Sequence, residues 1–213
     1  MIQAKSKIGK RLAVLAAVLV VLGALAAHYL YDPWGFYWKV SDEEAALRMQ
    51  VVEMAQSYLG CNEADGSHEQ IIDLYNSHQP LAMNYTVQYT DSWCATFVSA
   101  VAIQCGLTDI IPTECGCERQ IGLFQEIGCW EEFDGAVPLP GDIIYYDWDE
   151  KGLRDCTGWS DHVGIVVGTK WPFIKVIEGN KGDSVSYRCL LLNDIHIRGF
   201  GQPDYASRAK TEP

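Results

Sequence analysis

Basic residues are scarce in this chain: 16 Lys and Arg stand against 28 Asp and Glu, a net charge of −12 over 213 residues. That deficit argues against nucleic acid, or any anionic polymer, as the main partner, because such partners are gripped by positive charge. No Cys-x-x-Cys pair with a matching second pair occurs among the eight cysteines. A structural zinc site therefore lacks its usual ligand spacing, and no metal or other cofactor is implied. No repeat or low-complexity stretch is present, and the length suits one ordinary domain with at most an appendage. Apolar residues make up 48% of the chain, enough for a sizeable core. Histidines number only five, which shortens the search for a general base.

Charge is also missing from Leu12 to Leu30, with His28 neutral. The run is close to the ~20 residues an α-helix needs to cross a bilayer. Lys5, Lys7, Lys10 and Arg11 precede it, and acids begin only at Asp32. This asymmetry places residues 1–11 in the cytoplasm, a transmembrane signal-anchor over 12–31, and the remainder outside the cell. A cleavable signal peptide is the competing reading, with Ala24-Leu25-Ala26 as its small-residue site. The aromatic cluster Tyr29, Tyr31, Trp34, Phe36, Tyr37 and Trp38 suits a helix leaving the headgroup layer and favours the anchor.

Past a connector over 32–40, a domain is expected over 41–205, followed by a polar tail over 206–213. Ser41 is a candidate N-cap with Asp42, Glu43 and Glu44 in the first turn, and Leu47, Val51, Met54, Ala55 and Tyr58 have helical spacing up to Gly60. Further helices are expected over 68–75, 92–106 and 121–127. From Val137 onward, PLPGDIIYYDW, DHVGIVVG and FIKVIEGN are short β-branched and aromatic runs broken by Gly, Pro and Asp, with further strands over 185–192 and 195–199. Helices first and strands after define an α+β class with a largely antiparallel sheet. In an exported chain eight cysteines invite disulfides; setting Cys94 aside leaves an odd number, so at least one more is unpaired.

Cys94 falls near the start of the third helix, where the helix dipole favours a thiolate and free backbone N–H groups can hold an oxyanion. It also shares a stripe with Val98, Val101 and Cys105, so a core role competes. His28 lies in the apolar run, and His68 and His78 fall in polar stretches where a solvated ring is expected. His196 has the alternation of an outward strand position. His162 differs. It opens DHVGIVVG with Val163, Ile165 and Val167 on one face, and His162 and Gly164 on the other, where the glycine is expected to leave open space for substrate. In VIEGN, Glu178 and Asn180 are two apart and are expected on one strand face, so either could orient the imidazole.

WCATFVS around Cys94, then LPGDIIYYDW, DHVGIVVG and VIEGN, in that order, resemble the cysteine, histidine-dependent amidohydrolase/peptidase (CHAP) family over roughly residues 51–205. The resemblance implies a papain-like fold with Cys94 as nucleophile, His162 as general base, Glu178 as the orienting carboxylate and Asn180 as an additional polar partner. It implies cleavage of a peptidoglycan amide, as amidase or endopeptidase, with the stem peptide or cross-bridge as partner. Some members carry an Asp-rich calcium loop before the nucleophile; here NYTVQYTDSW has only Asp91, so calcium is not implied. Gln88, six residues before Cys94, is a candidate oxyanion donor. Two other outcomes share the same fold: a catalytically silent wall-binding scaffold, and an acyltransferase that crosslinks instead of hydrolysing.

Overall fold

The computed structural model describes residues 14–23, 40–132, 136–151 and 158–210. The chain divides into two units, 1–35 and 36–213. In the first, residues 14–23 form an exposed helix. Among the described residues no helix is long and apolar enough to cross a membrane. The basic segment, most of the connector and both ends of the expected 12–31 span lie outside the described residues, as does Cys156.

The second unit is α+β. Helices α1 (Asp42–Ser57), α2 (Glu69–Ser77), α3 (Cys94–Cys105) and α4 (Cys117–Glu126) come first, and a six-stranded antiparallel sheet follows. Its strands are β1 (Trp130–Glu132), β2 (Ile143–Tyr146), β3 (His162–Lys170), β4 (Phe173–Glu178), β5 (Ser186–Leu191) and β6 (Ile197–Gly201), in the order β1-β6-β2-β3-β4-β5. A short helix, α5 (Tyr205–Ala209), closes the domain and carries the fold past the tail boundary expected at 206.

Ser41 caps α1, its Oγ accepting from the Glu44 N–H at 3.1 Å. Strand alternation sorts the sheet's side chains as the period of two requires. Ile143, Tyr145, Val163, Ile165 and Ile177 join the helices in the main core, whereas Ile144, Tyr146, Val166, Ile174 and Val176 form a smaller cluster on the other face. Helix α3 runs through the main core with nearly every residue buried, which is why its sequence is apolar all round and shows no polar face.

Leu139-Pro140-Gly141-Asp142 locks α1 to the sheet. Proline and then glycine suit the two central positions of a tight turn, and Gly141 takes φ +84°, a backbone shape that favours glycine. The Asp142 N–H donates to the Leu139 carbonyl (3.1 Å), and the Leu139 N–H donates back to Asp142 Oδ2 (2.8 Å). Asp142 Oδ1 accepts from Arg48 Nη1 at 2.7 Å, while Arg48 Nε donates to Glu44 at 2.8 Å. The Arg48 guanidinium also lies 4.5 Å from the ring centre of Tyr205, whose hydroxyl donates to the Gly141 carbonyl.

The two boundary shifts that matter here are at α4 and β4. Helix α4 begins at Cys117, not near Ile121, because extended Gly116 precedes it and Glu118 favours the positive helix start. Strand β4 ends at Glu178, and Asn180 follows in a turn with φ +55°.

Candidate active site

Cys94 is the first residue of α3. Trp93 precedes it with no side-chain cap, and the first intrahelical acceptor is the Trp93 carbonyl, reached by the Phe97 N–H at 2.9 Å. The N–H groups of residues 94–96 therefore point out of the helix start without intrahelical partners. That of Ala95 adds a small effect in favour of the Cys94 thiolate. Trp93 is wholly buried and held by its Nε1–H bond to Glu63 (3.0 Å), which fixes the entry to the helix.

His162 opens β3 opposite Tyr146 of β2, and the two rings stack at 5.8 Å. Tyr146 stacks in turn on Trp148 at 4.8 Å. His162 Nε2 meets Glu178 Oε2 at 3.1 Å, leaving Nδ1 for the Cys94 side, where thiol and imidazole each favour the charged form of the other. Glu178 is completely buried, and its second oxygen accepts from Arg188 Nε at 2.6 Å. The site is thus a line: thiol, imidazole, carboxylate, guanidinium.

Three expectations change here. Gly164 does not leave room for substrate: a Cβ there would fall 2.6 Å from Val176 Cγ1 and 2.7 Å from Glu178 Cγ. The glycine instead lets the Glu178 side chain cross β3 to reach His162. Gly164→Ala should displace that carboxylate and lower kcat about tenfold or more, with a packing cost of about 1–3 kcal/mol, read from steady-state rates and thermal unfolding. Unchanged kcat would show that Glu178 does not depend on this gap. Asn180 stands beyond the strand end, in the turn, and does not share the Glu178 face. His68 is not solvated. It is 4% exposed, its Nε2 meets the Tyr89 carbonyl at 3.0 Å, and its ring lies 5.7 Å from that of Trp93. The motif leading into α2 folds back over Trp93, which local polarity does not reveal.

Gln88 is exposed and donates to the Thr86 carbonyl at 2.7 Å, so its amide is occupied away from Cys94. Asp91 accepts from the Tyr85 hydroxyl and the Gln88 N–H. Among the described residues, no three His, Cys, Asp or Glu side chains group so as to hold a metal ion. No disulfide joins the seven described cysteines. Arg188 and Cys117 complete the site and were not singled out from sequence. Cys117 Sγ lies 3.6 Å from Cys94 Sγ. A cleft of about 230 Å³, lined by Met83, Tyr85, Val87, Asp91, Ser92, Cys115 and Arg119, opens beside the segments leading into α3 and α4.

Electrostatics set the protonation state. The neighbouring Cys117 thiol, then His162, hold Cys94 well below the ordinary thiol range against the opposing effect of burial. Burial opposes charge on His162, but Cys94 and Glu178 outweigh it and raise the imidazole to about 9. Burial likewise opposes the Glu178 carboxylate, and His162 and Arg188 together keep it below its usual range. A thiolate–imidazolium pair follows between those limits. Activity should rise with pH as Cys94 loses its proton, well below the usual thiol range, and fall near pH 9 as His162 loses the proton meant for the leaving group. A kcat/KM profile with a single rise at ordinary thiol pH would contradict this assignment.

Comparison with protein families finds none that matches the chain, and comparison with curated proteins finds no match either. The resemblance to the CHAP family therefore rests on the four motifs themselves.

Proposed function

We propose that the chain is a cysteine amidohydrolase/peptidase of papain-like fold that hydrolyses a peptidoglycan amide at the bacterial cell surface, as amidase or endopeptidase. The observation that supports this reading most is the line from Cys94 through His162 to buried Glu178, built at the start of a core helix and the ends of two neighbouring strands. A silent scaffold has no need of a buried carboxylate whose two oxygens are committed to an imidazole and a guanidinium.

In the proposed reaction the Cys94 thiolate attacks the amide carbonyl carbon, and the carbonyl electron pair moves to oxygen. Backbone N–H groups at the start of α3 hold the oxyanion. His162 gives its proton to the leaving amine as the C–N bond breaks, leaving a thioester on Cys94. Water, deprotonated by His162, releases the acid and restores the pair. Glu178 keeps Nδ1 aimed at sulfur throughout, and Arg188 keeps Glu178 ionised. The cleft beside Ser92 offers room for part of a wall peptide. Catalysis by residues 41–205 needs no cofactor in this scheme.

The membrane span over 12–31 would hold the domain outside the cell and raise its effective concentration at the inner wall; cleavage near Ala26 would secrete it instead. The test is to incubate the full-length chain in detergent with purified peptidoglycan and identify products by mass spectrometry. Soluble fragments with new amine and carboxyl ends support hydrolysis and name the bond. New amide crosslinks would assign an acyltransferase, and an unchanged wall would reject the enzyme.

A further inference from the structure

Two helices begin with a cysteine at the same place. Cys94 opens α3 and Cys117 opens α4, with 3.6 Å between sulfurs, and both thiols are free and buried at 6% and 8% exposure. That distance exceeds an S–S bond, which is about 2.05 Å, and suits a sulfur hydrogen bond. Two adjacent buried thiolates would repel one another, so one sulfur keeps its proton. The surroundings decide which. Cys94 faces His162 of β3 and the Ala95 N–H, both favouring its anion. Cys117 faces Cys94 and the charge of Asp161, which both disfavour an anion there; burial acts in the same direction, and the favourable effect of its own backbone N–H is outweighed. Tyr145 of β2 lies near both sulfurs, and burial keeps its phenol neutral. Glu118, the next residue of α4, is taken up by the Ser160 N–H at 3.0 Å.

We propose that Cys117 is a catalytic residue of the Cys94 centre, its S–H donating to the Cys94 thiolate so that the nucleophile stays ionised in the buried site. This rests on the hydrolase reading for its consequence in turnover, but the sulfur–sulfur contact stands on geometry alone, and the direction of donation on the surroundings of each thiol. Cys117 keeps its proton through the cycle. Its bond to sulfur weakens as the Cys94 electron pair forms the thioester, and re-forms when water releases the acyl group. A donor that stabilises the thiolate also lowers its intrinsic nucleophilicity. The two effects separate by pH: loss of the donor costs rate where thiolate is scarce and costs nothing where Cys94 is fully ionised.

The test compares parent, Cys117→Ala and Cys117→Ser under reducing conditions, with circular dichroism to monitor folding. Thiolate is titrated by absorbance near 240 nm, and Cys94→Ala serves as the reference that assigns the signal. In Cys117→Ala the Cys94 titration should move to higher pH, with kcat/KM at pH 6 down about tenfold and the rate just below pH 9, before His162 loses its proton, equal or higher. In Cys117→Ser, the closest replacement in size, the hydroxyl donor should restore most of the parent titration. An unchanged Cys94 titration in both variants overturns the proposal, as does a loss of rate uniform across pH. The absorbance titration also reads out if the parent has no hydrolytic activity, so failure of the functional reading and failure of this pairing are distinguishable.

Discussion

Replacing Cys94 by Ala is expected to lower hydrolysis of peptidoglycan amides by about 10⁴-fold or more while the fold remains. Among the described residues no other sulfur is placed to take over. Cys117 is the nearest described thiol, but with Cys94 gone burial still disfavours its anion. Cys105, eleven positions along α3, is raised to about 11 by burial and has no base beside it. The substitution removes one small side chain from a helix whose packing rests on Phe97, Val98, Val101 and Ala102, so unfolding should shift little. It should leave one trace: His162 loses one of the two groups that raise it, and its titration should fall, which imidazole resonances in NMR would report. Retained activity in Cys94→Ala would remove the nucleophile from the account.

Asp142→Ala is expected to destabilise the domain by about 3–5 kcal/mol, the cost of leaving one member of a buried pair alone. Arg48 is 8% exposed at its side chain and would keep only Glu44 and the Pro140 carbonyl as hydrogen-bond acceptors, beside the Tyr205 ring. The turn would also lose the acceptor of its Leu139 N–H. Asp142→Asn should not rescue it fully, because both carboxylate oxygens accept and the amide nitrogen would have to face a donor. Burial lifts Asp142 to about 6 despite Arg48, so the pair is complete only above that pH and the comparison belongs at pH 7.5. Thermal unfolding should fall by about 2–4 °C per kcal/mol for a domain of this size. A variant as stable as the parent would show that the LPGD turn does not tie α1 to the sheet.

That turn was readable in advance as Pro-Gly at the mouth of a strand, but its partner was not. Arg48 sits in a helix some ninety positions earlier (ninety-four for the hydrogen-bonded pair), and no local pattern links them. The site divides the same way. Cys94, His162 and Glu178 each carried a local mark: a helix start, the opening of an alternating strand, a carboxylate at a strand end. Arg188 reaches Glu178 only through the register of β4 with β5, and Cys117 reaches Cys94 only because two helix starts converge. Asn180 was placed by continuing the alternation two residues past Glu178. Gly179 ends that alternation by packing its backbone against Phe97 and Trp93, where a side chain would collide, and the chain turns. Gly164 was recognised as meaningful but for the wrong occupant, since what fills its gap comes from the neighbouring strand.

The central claim is that Cys94 forms a covalent acyl intermediate, activated by His162. Its most direct test is to quench the full-length chain with acid during turnover of a purified wall peptide and map the adduct by mass spectrometry. The account predicts a thioester on the peptide containing Cys94, released by hydroxylamine and absent from Cys94→Ala. Undiminished turnover with Cys94 unmodified, or an adduct on any other residue, would contradict it.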